Sequence, residues 1–153
     1  MIGFSAQPGA PLTPAGVPYI APDDAQRIRC VALDVDGVLT DGGIYLGDVG
    51  GARYESKRYD IQDGLGIKML QRAGLVVAII TGRVSESVAL RGAELAVDEL
   101  VQDEHARKLP ALKRLIAARG IDLSEVAFVG DDLPDLGVLR VVGMPVVVAN
   151  ATD

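Results

Sequence analysis

Two carboxylates set one residue apart, in Asp34-Val35-Asp36-Gly37, follow the apolar run Cys30-Val31-Ala32-Leu33. Three more groups suited to the same chemistry lie downstream. They are Thr81-Gly82-Arg83 after Ile79-Ile80, Lys108 at the head of a helical pattern, and Gly130-Asp131-Asp132 after Phe128-Val129, with Asp135 one turn on. Singly, each is a common structural device: a turn, a strand exit, a solvated charge. Together they contain what phosphoryl transfer needs. Asp34 could attack phosphorus and form an aspartyl-phosphate, splitting one hard step into two. Asp36 could protonate the leaving alkoxide and then take a proton from the attacking water. The Thr81 hydroxyl and Lys108 ammonium could hold the phosphoryl oxygens, because catalysis of this transfer is mostly positioning and electrostatics.

Carboxylates gathered at one place repel, by about 4 kcal/mol per pair near 4 Å at an effective dielectric of 20. A cation must offset that. Oxygen donors with no His or Cys cluster beside them predict Mg²⁺, held by Asp34, Asp131 and the backbone carbonyl of Asp36. Asp132 and Asp135 are expected in support, Asp135 by orienting Lys108 or the metal waters. Arg58 and Arg83 present forks that match a substrate carboxylate, with an ion pair the equal alternative for Arg83. The single histidine, His105, reads as a solvent-facing loop residue.

The elements that would bring these residues together alternate short β-branched runs with helical patterns, which predicts βαβ units and a parallel sheet. Strands are expected at residues 31–34, 76–80, 99–101, 126–129 and 146–149. Right-handed crossovers then place their carboxyl ends on one edge, where ligands bind in open α/β sheets. Helices are expected from an N-cap at Asp63 to Gly74, after Ser85, around Pro110 and before Gly120, and over residues 134–142. Residues 43–59 read differently, as a β-hairpin turning through residues 47–51 and carrying Tyr45, Tyr54 and Tyr59. Those tyrosines suit cross-strand packing or a role in subunit contact or substrate cover.

The chain has 153 residues, 49% hydrophobic and 24% charged, which fits one globular domain. Five of its eight prolines fall in residues 1–22, so residues 1–27 are expected to be a flexible arm, without the features of a signal peptide, and residues 28–153 the domain. A net charge of −6 argues against a nucleic-acid surface. The longest apolar stretches, near six residues as at 75–80, are far too short to span a membrane. A lone cysteine inside an apolar run suits a reducing compartment, the cytoplasm.

In order and spacing the four motifs resemble those of the haloacid dehalogenase superfamily, over about residues 29–150. Val38-Leu39-Thr40-Asp41-Gly42 after the first motif, with Asp63-Gly64-Leu65-Gly66-Ile67, is similar to the 3-deoxy-D-manno-octulosonate 8-phosphate phosphatase subfamily. That resemblance implies a three-layer Rossmann-like fold with helices on both faces of the sheet, a small hairpin flap and no cap domain. It implies a Mg²⁺-dependent phosphatase acting on a phosphorylated 2-keto sugar acid in lipopolysaccharide biosynthesis, with nine-carbon acids or an inactive assembly domain as alternatives. It also implies a homotetramer built through the hairpins, and substrate contacts at Asp63, Gly64 and Gly82 besides the two arginines. Gln62 stands where relatives carry a basic residue, and relatives extend into a further helix and a basic, glycine-rich tail. A signalling receiver domain uses similar residues, but has its acidic pair first and its phosphoacceptor alone on a middle strand.

Overall fold

The structure is a computed structural model that describes residues 20–152. Five strands form a parallel sheet: β1 Cys30–Leu33, β4 Val76–Thr81, β5 Glu99–Gln102, β6 Val126–Gly130 and β7 Met144–Val147, in the order β5-β4-β1-β6-β7. All four β1 residues are buried, as expected of a central strand covered on both faces. Their alternation feeds two cores. Val31 and Leu33 pack with Val77, Ile79, Ile67 and Val88, on the side of helices α2 Ile61–Arg72 and α3 Glu86–Leu95. Cys30 and Ala32 pack with Ile80, Phe128, Leu112 and Val138, on the side of α4 Lys108–Ala117 and α5 Leu136–Leu139. Helices therefore cover both faces. Burial pushes the Cys30 thiol up to about 11, so it behaves as a core residue.

Several expectations shift at element ends. The first long helix begins at Asp60, not Asp63: the Asp60 side chain is the N-cap and accepts from the Gln62 amide at 2.8 Å. The last strand begins at Met144 rather than residue 146, because Pro145 is tolerated in an edge strand. The expected 134–142 helix is a 3₁₀ turn, Leu133–Asp135, leading into the short α5. The one-turn helix α1, Pro22–Gln26, lies within the expected arm; residues 1–19 of that arm fall outside the described residues.

The hairpin pairs β2 Tyr45–Val49 with β3 Ala52–Ser56, as a sheet of its own. Its turn is tighter than expected, only Gly50-Gly51, at φ 62° and 85°, the left-handed geometry that two-residue hairpins require. Leu46, Val49, Tyr45 and Tyr54 are exposed on it. No helix among the described residues is long and apolar enough to cross a membrane.

Phe128 has no exposed surface and sits in the strand next to β1. Phe128→Ala is expected to cost about 3–5 kcal/mol in urea unfolding, whereas Met69→Gln on the exposed face of α2 stays within about 0.5 kcal/mol.

Candidate active site

Asp34 is the first residue beyond β1, and its amide donates to the Val129 carbonyl at 3.0 Å, which locks the strand exit to its neighbour. The chain then turns sharply: the amides of Val38, Leu39 and Thr40 all point to the Val35 carbonyl. The Thr40 hydroxyl braces this loop, donating to Val35 O at 3.3 Å and accepting from the amides of Gly37 at 3.3 Å and Gly42 at 3.2 Å. Gly37 has φ +88°, and a Cβ placed there would lie 1.9 Å from Asp131 Oδ2. Only glycine lets the β1 and β6 exits approach so closely.

Lys108 opens α4 with its side chain turned inward and buried. Its Nζ lies 2.9 Å from Asp34 Oδ1 and 2.6 Å from Asp135 Oδ1. The other Asp135 oxygen accepts from the Asp131 and Asp132 amides, at 3.1 and 3.4 Å. Asp135 thus fastens the β6 exit to Lys108. Asp132 caps the 3₁₀ turn, accepting from the Leu133 amide at 2.7 Å. Thr81, buried at the end of β4, accepts from the Arg83 amide at 3.3 Å.

One cleft of about 220 Å³ is lined by Asp34, Asp36, Thr81, Gly82, Arg83, Lys108, Asp131 and Asp132. The remaining expected residues lie elsewhere. Arg58 and Asp63 line a separate cavity of about 320 Å³, with Asp41 and Asp60, behind the 37–42 loop. Arg58 there is 3.7 Å from the Asp41 carboxylate. Gly64 faces α3, where a Cβ would meet Arg91 at 2.7 Å and Leu95 at 3.3 Å, so its place is one of helix packing. His105 is exposed.

One residue escapes the sequence reading. Lys57, just past β3, has no exposed side-chain surface and ion-pairs with Asp36. Nothing in Tyr54-Glu55-Ser56-Lys57 marks it, because a lysine leaving a hairpin is by default solvated.

The charges do not balance. Asp34, Asp131 and Asp135 offer oxygens all within 4.8 Å of one another, against the single ammonium of Lys108. Burial raises the Asp34 pKa against the pull of Lys108. Burial and the charges of Asp34, Asp135 and Asp132 push Asp131 up to about 6. Burial pulls Lys108 down, but Asp34 and Asp135 outweigh it and hold the ammonium above its usual value. Asp131 Oδ1 is buried with no hydrogen-bond partner among the described residues. A hard divalent cation fits: it would give that oxygen a partner and cancel the surplus charge.

Comparison with known proteins gives the chain's family. Residues 96–153 match the haloacid dehalogenase-like hydrolase family. Over 127 residues, 83% of this chain, the sequence is 43% identical to the 3-deoxy-D-manno-octulosonate 8-phosphate phosphatase of Escherichia coli K12. The chain spans 65% of that relative's length. The phosphatase of the same name from Moraxella catarrhalis, solved in complex with magnesium, phosphate and KDO, superposes with a TM-score of 0.79 at 41% identity, over 86% of this chain and 73% of that one. The chain belongs to the haloacid dehalogenase-like hydrolase family. A cobalt-bound deoxy-D-mannose-octulosonate 8-phosphate phosphatase from Haemophilus influenzae is a further structural relative of this chain, with a TM-score of 0.76 at 35% identity over 84% of this chain and 73% of that one. Among the described residues the chain carries the hairpin between β1 and α2 and no cap domain.

Two outcomes follow from the geometry. Asp131 has a folded-state pKa of about 6 against 3.8 unfolded, so the metal-free fold binds the proton more tightly and loses stability as pH rises through that window. Asp131→Asn removes the penalty: metal-free thermal melts should show the variant level with the unmutated chain near pH 4 and more stable by about 1 kcal/mol above pH 6, after allowance for solvent screening. Gly37→Ala, strained in φ and overlapping Asp131, should cost about 2 kcal/mol or more in urea unfolding.

Proposed function

We propose that this chain is a Mg²⁺-dependent phosphatase of a phosphorylated 2-keto sugar acid, most specifically 3-deoxy-D-manno-octulosonate 8-phosphate, working in the cytoplasm. The observation that carries the reading is the buried Asp34–Lys108–Asp135 constellation facing Asp131, whose Oδ1 has no partner. The names of the relatives supply the substrate.

Asp34 stands at the end of a rigid strand, anchored by its amide, and attacks phosphorus in line. The bond to the leaving oxygen breaks as Asp36 gives that oxygen a proton. Water then attacks the phosphorus of the aspartyl-phosphate and passes a proton to Asp36. The bond to Asp34 breaks, phosphate leaves, and both carboxylates return to their starting state. Lys108, held at a fixed point by Asp135, and the Thr81 hydroxyl bind the phosphoryl oxygens. Asp34, Asp131 and the carbonyl of Asp36 would hold Mg²⁺, which when bound neutralises charge on the cluster and the phosphoryl group. Arg83, half-exposed at the cleft mouth and ion-paired with Glu55 at 2.9 Å, would meet the acid's carboxylate with the rest of its fork.

The cleft is open, and a neighbouring chain would cover it. The exposed apolar hairpin supports a homotetramer assembled through it. Light scattering should return four chains per particle, and Leu46→Asp with Val49→Asp should lower that number.

The test of activity is phosphate release from octulosonate 8-phosphate, a nine-carbon acid 9-phosphate and hexose phosphates. Turnover of one sugar acid is expected, abolished by chelator and reduced at least about 10³-fold by Asp34→Asn. Preference for the nine-carbon acid would reassign the substrate. Turnover of none by the unmutated chain would contradict the proposal and favour an assembly role.

A further inference from the structure

We propose that Lys57 is a positioning residue for Asp36: it holds one carboxylate oxygen so that the other is presented to the leaving group. This rests on the reading of Asp36 as the proton carrier.

Lysine is seldom fully buried unless it is paired, because removing an ammonium from water is costly. The Lys57 side chain has no exposed surface, and its partners are two carboxylates, Asp36 Oδ1 and Glu55 Oε1, the latter at 3.7 Å. The two oxygens of Asp36 are therefore not equivalent. Oδ1 is taken by the ammonium, whereas Oδ2 faces only Arg83 Nε at 3.7 Å, beyond hydrogen-bond distance. The firm partner of Arg83 is Glu55 Oε2 at 2.9 Å. Glu55 thus stands between the two cations and keeps Arg83 from closing on Oδ2. Of the oxygens on Asp36, Oδ2 is the one left to give and receive the proton.

The constraint comes from outside the sheet. Strand β1 fixes the backbone of Asp36, but Lys57 and Glu55 belong to the hairpin end, joined to the 37–42 loop by the bridge between Thr40 and Tyr59. The hairpin is thereby part of the proton-transfer apparatus and not only cover. Without the ammonium, Asp36 is free to turn toward Arg83, and both of its oxygens can be sequestered.

A role in orienting the general acid has a signature that general weakening of the fold lacks: its loss hurts substrates in proportion to their need for a proton on the leaving oxygen. An alkyl phosphate needs one, whereas 4-nitrophenolate leaves without it. Lys57→Met in the full chain keeps the length of the stem and deletes the charge. We expect kcat/KM for the sugar acid phosphate to fall about 30-fold or more, and for 4-nitrophenyl phosphate by less than about 5-fold. In an Asp36→Asn background, Lys57→Met should cause little further loss on either substrate, because the group it positions is already gone. Lys57→Gln reads the same ratio should the methionine variant not fold. Equal losses on both substrates, an undiminished loss in the Asp36→Asn background, or no loss at all would overturn the inference while leaving the phosphatase reading intact. Failure of the unmutated chain on both phosphates would overturn both.

Discussion

The site depends on an excess of negative charge in a small, partly dry volume. Three aspartates at the ends of β1 and β6 share one buried lysine. Such a cluster weakens the metal-free fold, since each carboxylate raises the cost of ionising the next, and Asp131 carries the effect most visibly. The same arrangement suits a divalent cation. A bound divalent cation would relieve the repulsion that costs stability in the bare protein.

The rest of the fold maintains that density of charge. Parallel pairing sets Leu33 opposite both Ile79 and Val129, so the strands end together and Asp34, Thr81 and the Asp131 turn share one edge. Gly37 allows the first and last motifs to touch. Asp135 is not simply another acid in the cluster, because its two oxygens tie Lys108 to the backbone of the Asp131 loop. The hairpin adds the arrangement around Asp36. Each acidic group is thus oriented by a separate element, and rigidity comes from the strands rather than from loops.

The gathering of the candidate residues was largely legible in the sequence, because motifs at strand ends report directly on residues that topology collects. The apolar runs at 30–33, 76–80 and 126–129 needed only the handedness of crossovers to bring Asp34, Thr81 and Asp131 to one cleft. Local rules failed where competing signals were close together. Asp63 reads locally as an N-cap, yet Asp60, three residues earlier, takes that role by accepting from the Gln62 amide. Pro145 disguised the start of an edge strand. Lys57 was invisible because its burial depends on how the hairpin base meets the 37–42 loop, a long-range contact that no local pattern encodes. Likewise Arg58 and Asp63, near in sequence to residues around the cleft, line a different cavity.

Calorimetric titration of the metal-free chain with Mg²⁺ near pH 7.5 tests the central claim most directly, because it asks whether the surplus charge is a cation site without involving substrate. One Mg²⁺ per chain is expected, with binding abolished by Asp131→Asn and retained by Lys57→Met. Absence of binding, or binding that survives the loss of Asp131, would contradict the account.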